Sequence, residues 1–114
     1  MTTDSTKRQT EPQWLAVLTP GRATFPGDAT AEELAMIARH ASWLEELASA
    51  GRVLLFGRTQ DEAERAPMGV VIFAADDRSA AEALMHEDPA LASGLMAWEV
   101  RPYKIAGSAD GLAR

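Results

Sequence analysis

The runs Val53-Leu54-Leu55-Phe56 and Val70-Val71-Ile72-Phe73 are apolar at every position. Successive side chains of a strand point to opposite faces. A sheet built on these two runs is therefore apolar on both sides, and each side needs a cover. β-Branched residues favour the pleated conformation, and the unbroken apolar character of Val53–Phe56 reads as a central strand covered on both faces. This demand constrains the fold more than any other stretch of the chain.

The cover for one face is visible just upstream. Thr30-Ala31-Glu32-Glu33 has the spacing of a capping box, and its two acidic residues suit the positive end of a helix. Apolar residues then recur every three or four positions at Leu34, Ile37, Ala38, Ala41, Leu44, Leu47 and Ala48, which predicts one helical stripe. Arg39, Ser42, Glu45, Glu46 and Ser49 take the wet side, and Gly51 supplies a left-handed stop. Before this helix, Trp14-Leu15-Ala16-Val17-Leu18 reads as a first strand ending in a turn at Thr19-Pro20-Gly21. A loop containing Pro26, Gly27 and Asp28 follows it.

Downstream, residues 58–67 read as a polar loop, Gly69–Ala74 as the third strand and Asp76-Asp77-Arg78 as a turn. Ser79-Ala80-Ala81-Glu82 reads as a second capping box, opening a short helix that ends near Asp88 because Pro89 disfavours helix there. Residues 89–94 read as a compact connection. Leu95–Tyr103 is the fourth strand, with Met96, Trp98, Val100 and Pro102 on an apolar side and Leu95, Ala97, Glu99, Arg101 and Tyr103 on a mixed one. The order strand–helix–strand–strand–helix–strand is the α+β, ferredoxin-like βαββαβ order. Right-handed crossovers put both helices on one face. The other face stays bare, and it exceeds what a monomer usually exposes. The expectation is a homodimer packed sheet against sheet. Residues 1–12 read as a disordered N-terminal tail, 13–105 as the domain and 106–114 as a flexible C-terminal tail.

At 114 residues the chain supports one core. No run of about 18 apolar residues spans a membrane, and the first residues lack the apolar segment of a secretory signal. With no cysteine, thiolate chemistry, disulfides and cysteine-ligated metals are excluded, and a reducing cytoplasm is the expected location. Formal net charge is −6, and no basic cluster exceeds Lys7-Arg8, which argues against nucleic acid as a partner.

Several stretches together resemble the YciI-like (YCII-related) family. They are His40 followed by Trp43-Leu44-Glu45-Glu46-Leu47; Gly51-Arg52-Val53-Leu54-Leu55 with Gly57; Ala80-Ala81-Glu82-Ala83-Leu84; Asp88-Pro89; Gly94-Leu95; and Val100-Arg101-Pro102-Tyr103. The resemblance covers residues 14–105 and implies a dimeric α+β barrel of ferredoxin-like protomers. It also implies a His–Asp active-site pair and a relationship to a dehydrochlorinase that acts on a chlorinated hydroxyhydroquinone. The histidine falls on His40 and the aspartate on Asp88, with Asp61 as the alternative carboxylate. Where members often carry Gly-Pro after the second strand, this chain has Gly57-Arg58, which sets a positive charge at the entrance of that loop.

An imidazole can exchange protons near neutral pH, and a carboxylate beside it fixes its tautomer. The plain alternative for His40 is a partly buried histidine satisfied by a backbone carbonyl, and for Asp88 a turn former before proline. Arg58, Trp98, Arg101 and Tyr103 are the candidates for holding a substrate. Trp98 can equally serve core or dimer, and Arg101 can pair with Glu99. His86 reads as a surface residue, and Trp43 as a core or dimer contact. His40, His86 and the carboxylates lack metal-ligand spacing, so no metal and no cofactor are expected. Two functions follow: a cofactor-free lyase or isomerase acting on a small cyclic or phenolic compound, or a non-catalytic homodimeric module that binds a ligand or a protein.

Overall fold

The computed structural model describes residues 11–60 and 67–109. Its elements are β1 (Gln13–Pro20), α1 (Ala31–Ser49), β2 (Val53–Arg58), β3 (Gly69–Ala74), α2 (Arg78–Met85), α3 (Pro89–Ala92) and β4 (Met96–Tyr103). The strands form one sheet in the order β2-β3-β1-β4, and every neighbouring pair is antiparallel. β1 and β2 are thus separated by β3, and β3 and β4 by β1. Each is joined by a helical crossover, which is the ferredoxin-like α+β arrangement. No helix among the described residues is long and apolar enough to cross a membrane.

Strand register sorts the side chains onto two faces. Trp14 pairs with Phe73 and Pro102, Ala16 with Val71 and Val100, and Leu18 with Gly69 and Trp98. This face meets the helices. Its residues form the main core with Leu44 and Leu47 of α1, Ala81, Leu84 and Met85 of α2, and Leu91 of α3. Fully burying a side chain of this size contributes about 1.5–3 kcal/mol. The opposite face carries Leu15 between Ile72 and Arg101, and Val17 between Val70 and Glu99.

The Thr30 capping box forms as expected. Glu33 N–H donates to the Thr30 hydroxyl at 3.1 Å, and Thr30 N–H donates to Glu33 Oε1 at 2.9 Å. Gly51 takes its left-handed conformation at φ +80. Four expectations are corrected. β2 is an edge strand, not a central one, because the crossover from β1 must pass β3. Its register shifts between Val53 and Leu55, and Leu55 and Phe56 are exposed, as bulges and edges commonly go together. The second helix is capped by Asp77, whose carboxylate accepts from Ala80 N–H at 2.8 Å. Ser79 therefore lies inside the first turn. Residues 89–94 contain the short helix α3 and are not a plain connection. β1 continues through Pro20, which pairs with Met96. Of the expected tails, residues 1–10 and 110–114 lie outside the described residues.

β1 hands over to the following loop at Gly21, whose N–H donates to the Leu95 carbonyl at 2.9 Å. A Cβ at Gly21 would fall on the backbone carbonyl of Gly94. Gly21→Ala is expected to lower unfolding free energy by about 1–3 kcal/mol in urea titration, as overpacking against fixed atoms does. Gly57→Ala, where an added methyl meets nothing within 4 Å, should stay within about 0.5 kcal/mol. Equal losses would show that the close approach at Gly21 is not what matters.

Candidate active site

His40 is buried, although it lies among residues that the helical stripe did not assign to the core. The observed inward line of α1 runs through Met36, Ile37, His40, Leu44, Leu47 and Ala48. Leu34, Ala38 and Ala41, expected inside, are exposed. The helix is rotated relative to the simple hydropathy stripe. An alanine adds only one methyl to a core, on the order of 0.8 kcal/mol. Two alanines weigh less than a bonded histidine and a methionine.

Asp88 sits between α2 and α3 and caps the latter. Pro89 occupies the first turn, where its missing N–H costs nothing. The Asp88 carboxylate is completely buried, and its Oδ2 lies 2.8 Å from His40 Nδ1 across 48 residues of sequence. The same oxygen accepts from Leu91 N–H at 3.3 Å. A carboxylate that accepts from a backbone amide and faces an imidazole nitrogen leaves that nitrogen to donate. We place the ring proton on Nδ1 on this ground. Nε2 then carries the lone pair. It makes no hydrogen bond among the described residues, and it is not one of the fully enclosed unpaired atoms, which are Trp43 Nε1 and Asp88 Oδ1. The imidazole side chain keeps about 10% exposure. The inner nitrogen of the imidazole is thus held by Asp88, and its outer nitrogen is unbonded among the described residues.

Two rings and a loop flank the pair. The Trp43 ring stands 5.9 Å from the His40 ring, tilted by 33°. Phe25, in the loop after β1, joins Ala90 and Leu95 in a small second core that also takes in Met36 and Ile37. The loop thus packs on both elements that carry the pair. Arg22 anchors it, donating to Glu33 at 2.9 Å and to Asp28 at 2.7 Å, with its guanidinium 5.3 Å from the Phe25 ring centroid. Those hydrogen bonds hold the Glu33 carboxyl down to about 2, and with help from Thr24 they hold Asp28 below its ordinary value. Among the described residues, no three His, Asp or Glu side chains group as metal ligands would.

A family model, the YCII-related domain, matches residues 14–104. This chain belongs to the YCII-related family. A search of curated proteins returned no match. Among solved structures, an uncharacterised protein from Thermotoga maritima is similar at 14% identity, with a TM-score of 0.48. That alignment covers 82% of this chain and 98% of the other.

The other candidates are scattered. Trp98 is half-buried on the helix-facing side, and its indole N–H donates to the Leu91 carbonyl at 3.3 Å. Arg101 and Tyr103 lie on the open face, opposite to the helices, and Arg101 is bonded to Glu99 at 3.1 Å. Arg58 is exposed at the end of edge strand β2. His86 is exposed, with its ring edge-on to Trp98 at 5.2 Å. Asp61 lies outside the described residues. The contribution of α3 was missed from sequence, although Asp88-Pro89 carries a signal for it: a capping residue followed by proline at the first helical position.

Removing the imidazole leaves the buried Asp88 carboxylate without its partner. His40→Leu is expected to lower stability by about 3–5 kcal/mol. Adding Asp88→Asn, which still caps α3, should recover part of the loss and give a coupling energy of about 0.5–3 kcal/mol in urea unfolding. Strictly additive effects would mean that the two side chains are not coupled.

Proposed function

We propose that this YCII-related protein is a small lyase or isomerase that draws on no cofactor, with His40 as acid–base and Asp88 as the group that orients it. The observation that carries this reading is the 2.8 Å contact between His40 Nδ1 and the fully buried carboxylate of Asp88. A structural histidine could be satisfied by a carbonyl. A carboxylate with no exposure at all costs several kcal/mol to bury unless it is paired. What this arrangement offers in return is an imidazole with one nitrogen held and the other available.

The substrate class comes from the family resemblance: a small cyclic or phenolic compound with an acidic C–H or O–H. In an elimination from a chlorinated substrate, the Nε2 lone pair takes the proton, the C–H bonding pair becomes the new double bond, and the adjacent C–Cl bond breaks, its electron pair leaving with chloride. Asp88 stabilises the imidazolium until the proton is passed to water. A base placed in this way contributes about 10²–10⁴-fold.

The open sheet face supports a homodimer as the working unit. Leu15, Val17, Leu55 and Val70 stand on it by register around Ile72, which is already buried within the protomer. Leu15, Val17 and Val70 are half-buried, and Leu55 is 47% exposed. A second copy packed face to face covers this patch, and Arg101 and Tyr103 border it at β4. In sedimentation the wild type is expected to be a dimer. Leu15→Arg should be monomeric with an intact far-UV spectrum, and a wild-type monomer would refute the assembly.

The catalytic reading is tested in D₂O with a panel of chlorinated hydroxyquinols and cyclic diketones, following chloride release and C–H exchange by NMR. The wild type should turn over at least one compound, and His40→Gln should lose about 10²–10⁴ of that rate while remaining a dimer. Saturable binding without chloride release or exchange would instead establish a binding module.

A further inference from the structure

We propose that Trp98 is the positioning residue of the His40–Asp88 pair, acting through α3. The proposal builds on that pair as the functional centre, but its own readout is the state of the pair and does not require turnover. α3 has four residues, Pro89–Ala92. A helix so short does not hold itself together, yet it fixes the carboxylate that fixes His40. Its last carbonyls need donors: the Leu91 carbonyl accepts from Gly94 N–H at 3.3 Å, and the Trp98 indole is its side-chain donor.

The result is a continuous path. The Trp98 indole N–H donates to the Leu91 carbonyl at 3.3 Å. Leu91 N–H donates to Asp88 Oδ2 at 3.3 Å. His40 Nδ1 meets the same oxygen at 2.8 Å. Trp98 is itself set from two sides. Its backbone pairs with Leu18 toward the end of β1, and the His86 ring stands edge-on to its indole at 5.2 Å. The sheet is thereby connected to the carboxylate. This also explains why a large indole occupies a half-buried place in β4: its N–H is committed to the protein's own backbone.

The structure contains its own control. Trp14, on the same sheet face, donates its indole N–H to the Ala75 carbonyl at 3.1 Å, on a residue that belongs to neither α3 nor the pair. Trp98→Phe and Trp14→Phe each lose one indole N–H and a similar volume, so a purely structural role lowers the melting temperature in both.

The test is the solvent-exchange rate of the His40 Nδ1 proton by NMR in ¹⁵N-histidine protein. Trp98→Phe should raise that rate about tenfold, the effect of one net hydrogen bond, and Trp14→Phe should leave it near the wild-type value. A rate unchanged in Trp98→Phe, or raised equally in both variants, overturns the proposal. If Trp98→Phe does not fold, β-(3-benzothienyl)alanine at position 98 keeps the ring shape and replaces only the N–H by sulfur; the same rise is expected. The pair itself is judged separately by Asp88→Ala. Exchange that rises there but not in Trp98→Phe refutes the role of Trp98 and leaves the pair standing.

Discussion

The hydrogen bond between His40 Nδ1 and Asp88 Oδ2 joins two parts of the chain that are 48 residues apart and sets the geometry of both. On one side it fixes the phase of α1, turning His40 and Met36 inward and Ala38 and Ala41 outward. On the other it fixes the start of α3, whose cap is the same carboxylate. The loop after β1 then closes over the junction, with Phe25 against Ala90 and Leu95 and Arg22 clamping Asp28 and Glu33. Helix phase, short helix and loop all meet at this one polar contact inside an otherwise apolar core.

Such a contact is costly to build. A fully buried carboxylate gives up its hydration, and here only one of its oxygens is bonded; Oδ1 has no partner among the described residues, and neither does Trp43 Nε1 beside the imidazole. An unsatisfied buried polar atom costs about 1–3 kcal/mol. A core selected for stability alone would replace the pair with apolar side chains. Unpaired buried polar groups of this kind are enriched where chemistry is done.

Much of the fold was legible in the sequence because strong local signals agreed with the topology. The Thr30–Glu33 box, the Gly51 stop and the β-branched run at Val70–Phe73 each formed as read. The errors arose where local pattern and tertiary order compete. Val53–Phe56 looks central because it is wholly apolar, but the crossover rule sends it to the edge, where its second set of side chains meets solvent. Ser79 and Asp77 both offer a cap, and the carboxylate prevails at the residue with extended backbone. The His40–Asp88 contact came from the resemblance, since periodicity alone placed His40 beside the core stripe. The chain from Trp98 through Leu91 to Asp88 depends on a backbone carbonyl and a backbone amide, which have no signature in residue type.

The claim at the centre is that Asp88 holds the imidazole with its proton on Nδ1 and its lone pair on Nε2. The direct measurement is the pair of ¹⁵N shifts of His40 in mildly alkaline buffer, with His86→Gln used to assign the signals. A neutral ring protonated at Nδ1, with that proton protected from exchange, is the predicted result. A proton on Nε2 with Nδ1 bare, or an Nδ1 proton exchanging as fast as that of the exposed His86, would contradict the account.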